Sequence, residues 1–335
     1  MSSNSKLSGF DPTWEDFPDY IIGITREIWE HRGIGTLNHY YSADIPVRTP
    51  MGVQRGNQEV IASTMATVNE FPDRELFGED VIWSGSPETQ LLSSHRILTT
   101  GTHSRDGMFG KASGKRFQIR VIADCAAKDN TIFDEWLVRD YGALVRQFGM
   151  SPKRFANQLI KKEGGAKQCA KPFTPATDVA GDYTGTGNDN PWGARYADIL
   201  NRLMDKEFAL IPVEYDRAVQ PGYAGGVSGI SHASVDEFWL GLRSSFPNAT
   251  FKIHHQIGMD ASMLPPRAAI RWSLDGLHEG WGAFGRPTGA SVHVMGMCHA
   301  EFGPFGEKGA SIRREYALYD EIAIWKQILM QEKQS

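Results

Sequence analysis

The 335-residue chain is 41% hydrophobic and 22% charged, with a formal net charge of −5, the balance of a globular protein long enough for two domains that each bury a core. The weak negative charge gives no electrostatic reason to expect nucleic acid or an anionic membrane as partner, and no apolar run approaches bilayer length. No secretory h-region is visible at the N-terminus, and Cys125, Cys169 and Cys298, odd in number and without C-x-x-C spacing, read as free thiols of a reducing cytoplasm.

In chain order, PDYIIGITREIWEHRG places Ile21, Ile24 and Ile28 at helical spacing, with Gly33 as the stop. NQEVIASTMATVNEF predicts a second helix, ended by Phe71-Pro72. ELFGEDVIWSG, TQLLSSHRILTTGTH, KRFQIRVIADCAAK and NTIFDEWLVRDYG read as strands of an antiparallel meander, and AKDN as a hairpin turn. Residues 150–190 are rich in Gly, Thr, Asp and Pro and read as a linker that opens with a short helix. GTGNDN within it lacks the third glycine and the strand–helix setting of a nucleotide loop. ARYADILNRLMDKE and SVDEFWLGLRSSF then restart the helical pattern, the second again ending at Phe-Pro.

That restart is a repeat. THSRDGMFGKASGKRF carries His103, Gly107, Phe109, Gly110 and Gly114, and LHEGWGAFGRPTGASV carries His278, Gly282, Phe284, Gly285 and Gly289, each shifted by 175. Tyr40 meets Tyr215, Val60 meets Val235, Phe71-Pro72 meets Phe246-Pro247 and Arg96 meets Arg271 at the same shift. Beyond GPFGEKG the shift becomes 180, so that Glu135, Trp136, Asp140 and Gln147 meet Glu315, Tyr316, Asp320 and Gln327. The chain is thus two copies of one α+β module, over residues 15–149 and 191–335. A sheet with exposed edges gains from cover, so the doubling predicts an intramolecular pseudo-dimer, with further homo-oligomers left open.

The ordered set Phe71-Pro72-Asp73, Arg96, Thr102-His103, Ser113-Gly114-Lys115, Glu135-Trp136 and Asp140, with Phe246-Pro247, Arg271, His278-Glu279-Gly280, Pro287-Thr288-Gly289, Glu315 and Asp320, resembles the SnoaL-like polyketide cyclase/ester cyclase family of the nuclear transport factor 2-like superfamily. The resemblance implies two tandem cones, each with helices packed on a strongly curved antiparallel sheet around a pocket. It also implies cofactor-free acid/base chemistry by the aspartate of E-W-x-x-x-D, here Asp140 and, by the repeat, Asp320. Tyr316 in the place of Trp136, and five extra residues on the hairpin before it, are departures in the second copy.

Each candidate residue has two readings. Asp140 shares strand parity with Trp136 and Val138, and Asp320 with Tyr316 and Leu318; on a concave face these carboxylates would be desolvated bases, and otherwise solvated or arginine-paired strand ends. His103 and His278 would hold a substrate carbonyl or brace the glycine-rich turn. Arg96 and Arg271 would bind a substrate oxygen or neutralise Glu135 and Glu315. His299, opposite the Asp320 strand, offers a His–Asp couple, and Trp136, Trp272 and Trp281 are candidate pocket walls. No metal-ligand spacing is found among the histidines of the second copy. The expected function is cofactor-independent acid/base catalysis on a small apolar carbonyl compound. The same parts would serve an isomerase, a dehydratase, an epoxide hydrolase or a non-catalytic ligand-binding module.

Overall fold

The computed structural model describes residues 7–306 and 309–332. The first module contains α1 (Phe17–Trp29), α2 (Leu37–Tyr40), β1 (Pro46–Thr49), β2 (Gly52–Arg55), α3 (Asn57–Glu70), β3 (Glu75–Gly85), β4 (Leu91–Thr102), β5 (Arg116–Lys128), β6 (Thr131–Arg139) and α4 (Tyr141–Gln147). Helix α5 (Pro152–Lys162) follows. The second module repeats the order as α6 (Pro191–Met204), α7 (Ile211–Glu214), β7 (Tyr215–Tyr223), β8 (Val227–Ser228), α8 (His232–Ser245), β9 (Thr250–Met259), β10 (Arg267–Leu277), β11 (Ser291–Gly306), β12 (Gly309–Tyr319) and α9 (Glu321–Gln331). The long-loop insertion falls on the β11–β12 hairpin, and its residues 307–308 lie outside the described residues.

The two copies reach the same layout through matching local chemistry. Asp16 and Asn190 cap α1 and α6, each followed by a proline in the first turn. Asp129 and Asn130, both at positive φ, form the tight β5–β6 turn that AKDN announces. The sheets order as β2-β1-β6-β5-β4-β3 and β8-β7-β12-β11-β10-β9, open at both ends. They are mixed where the sequence suggested purely antiparallel sheets: β1 runs parallel to β6, and β7 to β12. These strands escape sequence reading because PVRT and GVQR are too short to show a period and Pro221 interrupts β7.

One apolar cluster gathers on the inner face of each sheet. In the second module β10 contributes Ala268, Ile270, Trp272 and Leu274, β11 contributes Val294, Cys298 and Ala300, and β12 contributes Ala317 and Tyr319. In the first module Ile97, Val121, Ala123, Cys125 and Leu137 play this part. By compactness the chain divides into 1–49, 53–137 and 175–185 as one unit and 50–52, 138–174 and 186–335 as the other. So α4, continuous with β6 in sequence, belongs to the second unit, as does α5, where fully buried Lys326 of α9 meets Glu163 at 2.6 Å. No helix among the described residues is long and apolar enough to cross a membrane.

Candidate functional site

Strand alternation decides which side chains enter each module. On β12 the inner parity is Glu315, Ala317 and Tyr319, which puts a carboxylate inside the apolar cluster. Glu315 Oε1 accepts hydrogen bonds from Tyr196 Oη and Tyr215 Oη, both at 2.8 Å, and Oε2 from Trp239 Nε1 at 3.1 Å and from Tyr223 Oη. Burial pushes this carboxyl above its ordinary range, against the downward pull of the donors. Trp272 closes the same interior, donating its indole N–H to Cys298 Sγ at 2.9 Å.

The first module holds a different set. Glu135, at the matching place on β6, is buried and hydrogen-bonds the Tyr41 hydroxyl and the Cys125 thiol. Burial, with Glu135 adding to it, keeps both of those groups protonated. His95 on β4 shares the inner parity, its Nδ1 at 3.2 Å from Ser93 Oγ. Desolvation lowers its pKa to about 4, so the ring is neutral at pH 7. The sequence reading treated Glu135 and Glu315 only as partners for arginine. The signal that pointed to them was a glutamate kept in both copies at an inner-parity position of an apolar strand.

Asp140 and Asp320 lie elsewhere. Each follows the last strand residue and caps the next helix, α4 or α9. DYG, read as the tail of a strand, instead starts α4, because aspartate there satisfies the first-turn amides. Asp140 Oδ1 accepts from Ala143 N at 3.0 Å and Gly225 N at 2.9 Å, and Oδ2 from Gly226 N at 2.9 Å. Asp320 Oδ1 accepts from Ile322 N at 2.9 Å. Burial raises Asp140 to about 6, against the amides, with Glu321 adding to the rise. It raises Asp320 to about 8, helped by the charges of Asp140 and Glu321.

His103 and His278 sit in matching turns. Nδ1 of each is 3.1 Å from a hydroxyl, Ser113 Oγ or Thr288 Oγ1. His103 N donates to Lys115 O and Gly114 N to His103 O; His278 N donates to Ala290 O and Gly289 N to His278 O. These bonds brace the glycine turn. His103 Nε2 lies 3.3 Å from Glu70 Oε1, and Glu70 also accepts from the amides of Met108 and Phe109 at 2.9 Å. At that place the second module has Ser245, which receives the Phe284 amide at 3.2 Å.

Arg96 pairs with Glu79 at 2.9 Å, a carboxylate shared with Arg120, and both Arg96 and Arg271 lie on the parity opposite the apolar cluster. The expected partnership of Arg271 with Glu315 is thereby excluded, because the two side chains leave their strands on opposite faces. Trp136 lies under the Arg48 guanidinium, 4.5 Å from its centroid, beside the Arg48–Asp134 ion pair. Tyr316 and His299 face each other in register on that outer parity. Asp320 lies four residues beyond Tyr316, about 13 Å along the strand at 3.3 Å per residue, so the His299–Asp320 couple does not form. Trp281 is 71% exposed and lines no interior. Two of the extra histidines join a part-buried chain instead: His254 Nε2 is 2.8 Å from Ser273 Oγ, which donates to Asp275 Oδ2 at 3.2 Å, and His293 Nδ1 meets Asp275 Oδ1 at 2.5 Å.

Solved structures similar to this chain include IdmH of Streptomyces antibioticus, a polyketide cyclase candidate, at 20% identity and TM-score 0.35, covering 40% of this chain and 98% of that one. TsrD of Streptomyces laurentii has 20% identity and TM-score 0.34, covering 40% and 98%. A SnoaL-like polyketide cyclase of Agrobacterium tumefaciens has 19% identity and TM-score 0.32, covering 39% and 97%. No family model and no curated protein sequence matches the chain.

Proposed function

We propose that the protein is a cofactor-independent acid/base enzyme of the polyketide-cyclase kind, closing a ring in an apolar dicarbonyl compound by intramolecular aldol addition. The observation that supports this reading is the inner-face carboxylate, a glutamate buried among phenol, thiol and apolar groups. A carboxylate so shielded is a stronger base than one in water. In the first module Glu135 takes a proton from a carbon next to one carbonyl, the second carbonyl lying several bonds farther along the chain. The resulting enolate carbon attacks the second carbonyl carbon, a C–C bond forms, and the new alkoxide takes the proton back. Neutral His95, on the same inner face, would offer a ring N–H to a carbonyl oxygen. Isomerisation or dehydration would use the same groups. The three free, buried cysteines suit a reducing compartment.

The test is a panel of linear dicarbonyl esters of graded length, followed by proton NMR for ring formation. Wild-type protein is expected to cyclise at least one member, and Glu135→Gln to lose that activity by a hundredfold or more, at the scale of general-base catalysis, ~10²–10⁴. If Asp140→Asn or Asp320→Asn stops the reaction and Glu135→Gln does not, the chemistry belongs to the helix caps. If every compound binds and none reacts, the protein is a ligand-binding module.

A further inference from the structure

The two interiors differ in what fills them. Helices α3 and α8 align at a constant shift of 175, so Phe238, Trp239 and Leu242 of α8 correspond to Ser63, Thr64 and Thr67 of α3. On the facing strand Trp272 corresponds to Ile97. Together these four exchanges remove roughly twenty side-chain non-hydrogen atoms from the first module, and Val121, Leu137 and Phe117, in the places of Gly296, Ala317 and Val292, return about half of them, leaving room of the order of a small ligand. Trp83, where the second module has Gly258, lies 5.9 Å from Phe17 at the α1 end of the sheet.

Packing reports the same difference. In the second module Phe246 and Phe284, at the glycine-turn end, belong to one continuous cluster with Tyr196 and Trp272. In the first, Phe71 and Phe109 touch each other and Phe71 touches Phe117, but none of the three joins the cluster that contains Tyr20 and Tyr41. That cluster reaches Ile97 and Val121, and Thr64, His95 and Thr99 are buried but polar. The inner column of β4 is Ser93, His95, Ile97 and Thr99, where β10 carries Ala268, Ile270, Trp272 and Leu274.

The carboxylates follow suit. Of the four donors around Glu315, Tyr196, Tyr223 and Trp239 correspond to Ile21, Thr49 and Thr64; Tyr215 alone has an equivalent, which strand register makes Tyr41, beside Ile132 as Tyr215 is beside Ile312, rather than the Tyr40 that the constant shift matched. A carboxylate with both oxygens doubly engaged has no lone pair left for a substrate proton.

We propose that the duplication has divided the labour: the first module holds the ligand chamber, walled by Thr64, His95 and Glu135, and the second is a filled scaffold whose Glu315 cage is structural. The chamber takes a small apolar carbonyl compound. The proposal rests on the acid/base reading for its substrate class and is separable from it in the test.

The probe is 6-propionyl-2-(dimethylamino)naphthalene, an apolar aromatic ketone whose emission shifts to the blue on leaving water, titrated against the full chain. One site per chain is expected. Thr64→Trp, copying the second module, is expected to weaken binding at least tenfold, and Ser63→Phe to do the same if Thr64→Trp fails to fold by circular dichroism. Trp239→Phe is expected to leave affinity unchanged within twofold. Two sites per chain, or binding lost with Trp239→Phe and kept in both chamber-filling variants, would overturn the proposal. Binding without turnover of any dicarbonyl ester would leave the chamber in place and remove the enzymatic reading. Turnover that survives Thr64→Trp and dies with Glu315→Gln would do the reverse.

Discussion

Asp320→Asn is a direct probe of the capping pair. The Asp320 carboxyl stands at about 8 in the folded protein against 3.8 for an ordinary aspartate. An acid whose folded pKa is raised gives its full stabilisation below about pH 4 and loses it as pH rises to 8. At 1.36 kcal/mol per unit, folding at pH 7 forgoes about 4 kcal/mol to keep this group protonated. Solvent screening does not reduce that figure, because the residue is 2% exposed. Asparagine caps about as well as aspartate and keeps the Ile322 amide satisfied, and because the folded carboxyl is neutral at pH 7 no attraction of a charge to the helix end is lost with it. The variant is therefore expected to be more stable than wild type by ~4 kcal/mol at pH 7 and equal to it at pH 4. With a urea slope of ~2–3 kcal/mol/M, the midpoint of the unit containing α9 rises by more than about 1 M at pH 8. A midpoint difference that is the same at pH 4 and pH 8 would refute the reasoning.

Asp140→Asn should flatten the stability profile in a lower window, pH 4 to 6, since Asp140 stands at about 6; urea midpoints at those two pH values check it. Glu315→Leu strands three phenols and an indole N–H in a dry interior at ~1–3 kcal/mol each, so near-ultraviolet circular dichroism should show the second unit unfolded, with Glu315→Gln much milder. Trp239→Ala should cost about 3–5 kcal/mol for its volume and more for the donor it withdraws from Glu315, read by thermal unfolding. His278→Gln should cost about 1 kcal/mol and leave turnover unchanged if the ring only braces its turn.

The duplication, the helices and the β5–β6 hairpin were legible because each rests on a short-range pattern: apolar spacing, Phe-Pro stops, or Asp129-Asn130 at a turn. The inner carboxylates were not, because the EWLVRD stretch offers two parities and sequence does not say which one faces inward. Choosing the parity of Trp136 put Asp140 in the pocket and Glu135 outside it; the structure reverses this, with Asp140 turned into a helix cap and Glu135 beside Tyr41. The parity of Arg96 and Arg271 was hidden for the same reason. The contrast between Trp239 and Thr64 was visible all along, since α3 and α8 align without a gap. It acquires meaning only once Trp239 is seen to donate to Glu315, whose place Glu135 holds in the first module.

The most direct measurement is the rate at which the protein exchanges deuterium from solvent into the activated carbon of a dicarbonyl ester that it binds. The account predicts exchange well above the uncatalysed rate in wild type, lost a hundredfold or more in Glu135→Gln and kept in the Asp140→Asn/Asp320→Asn double variant. Exchange unaffected by Glu135→Gln would contradict it.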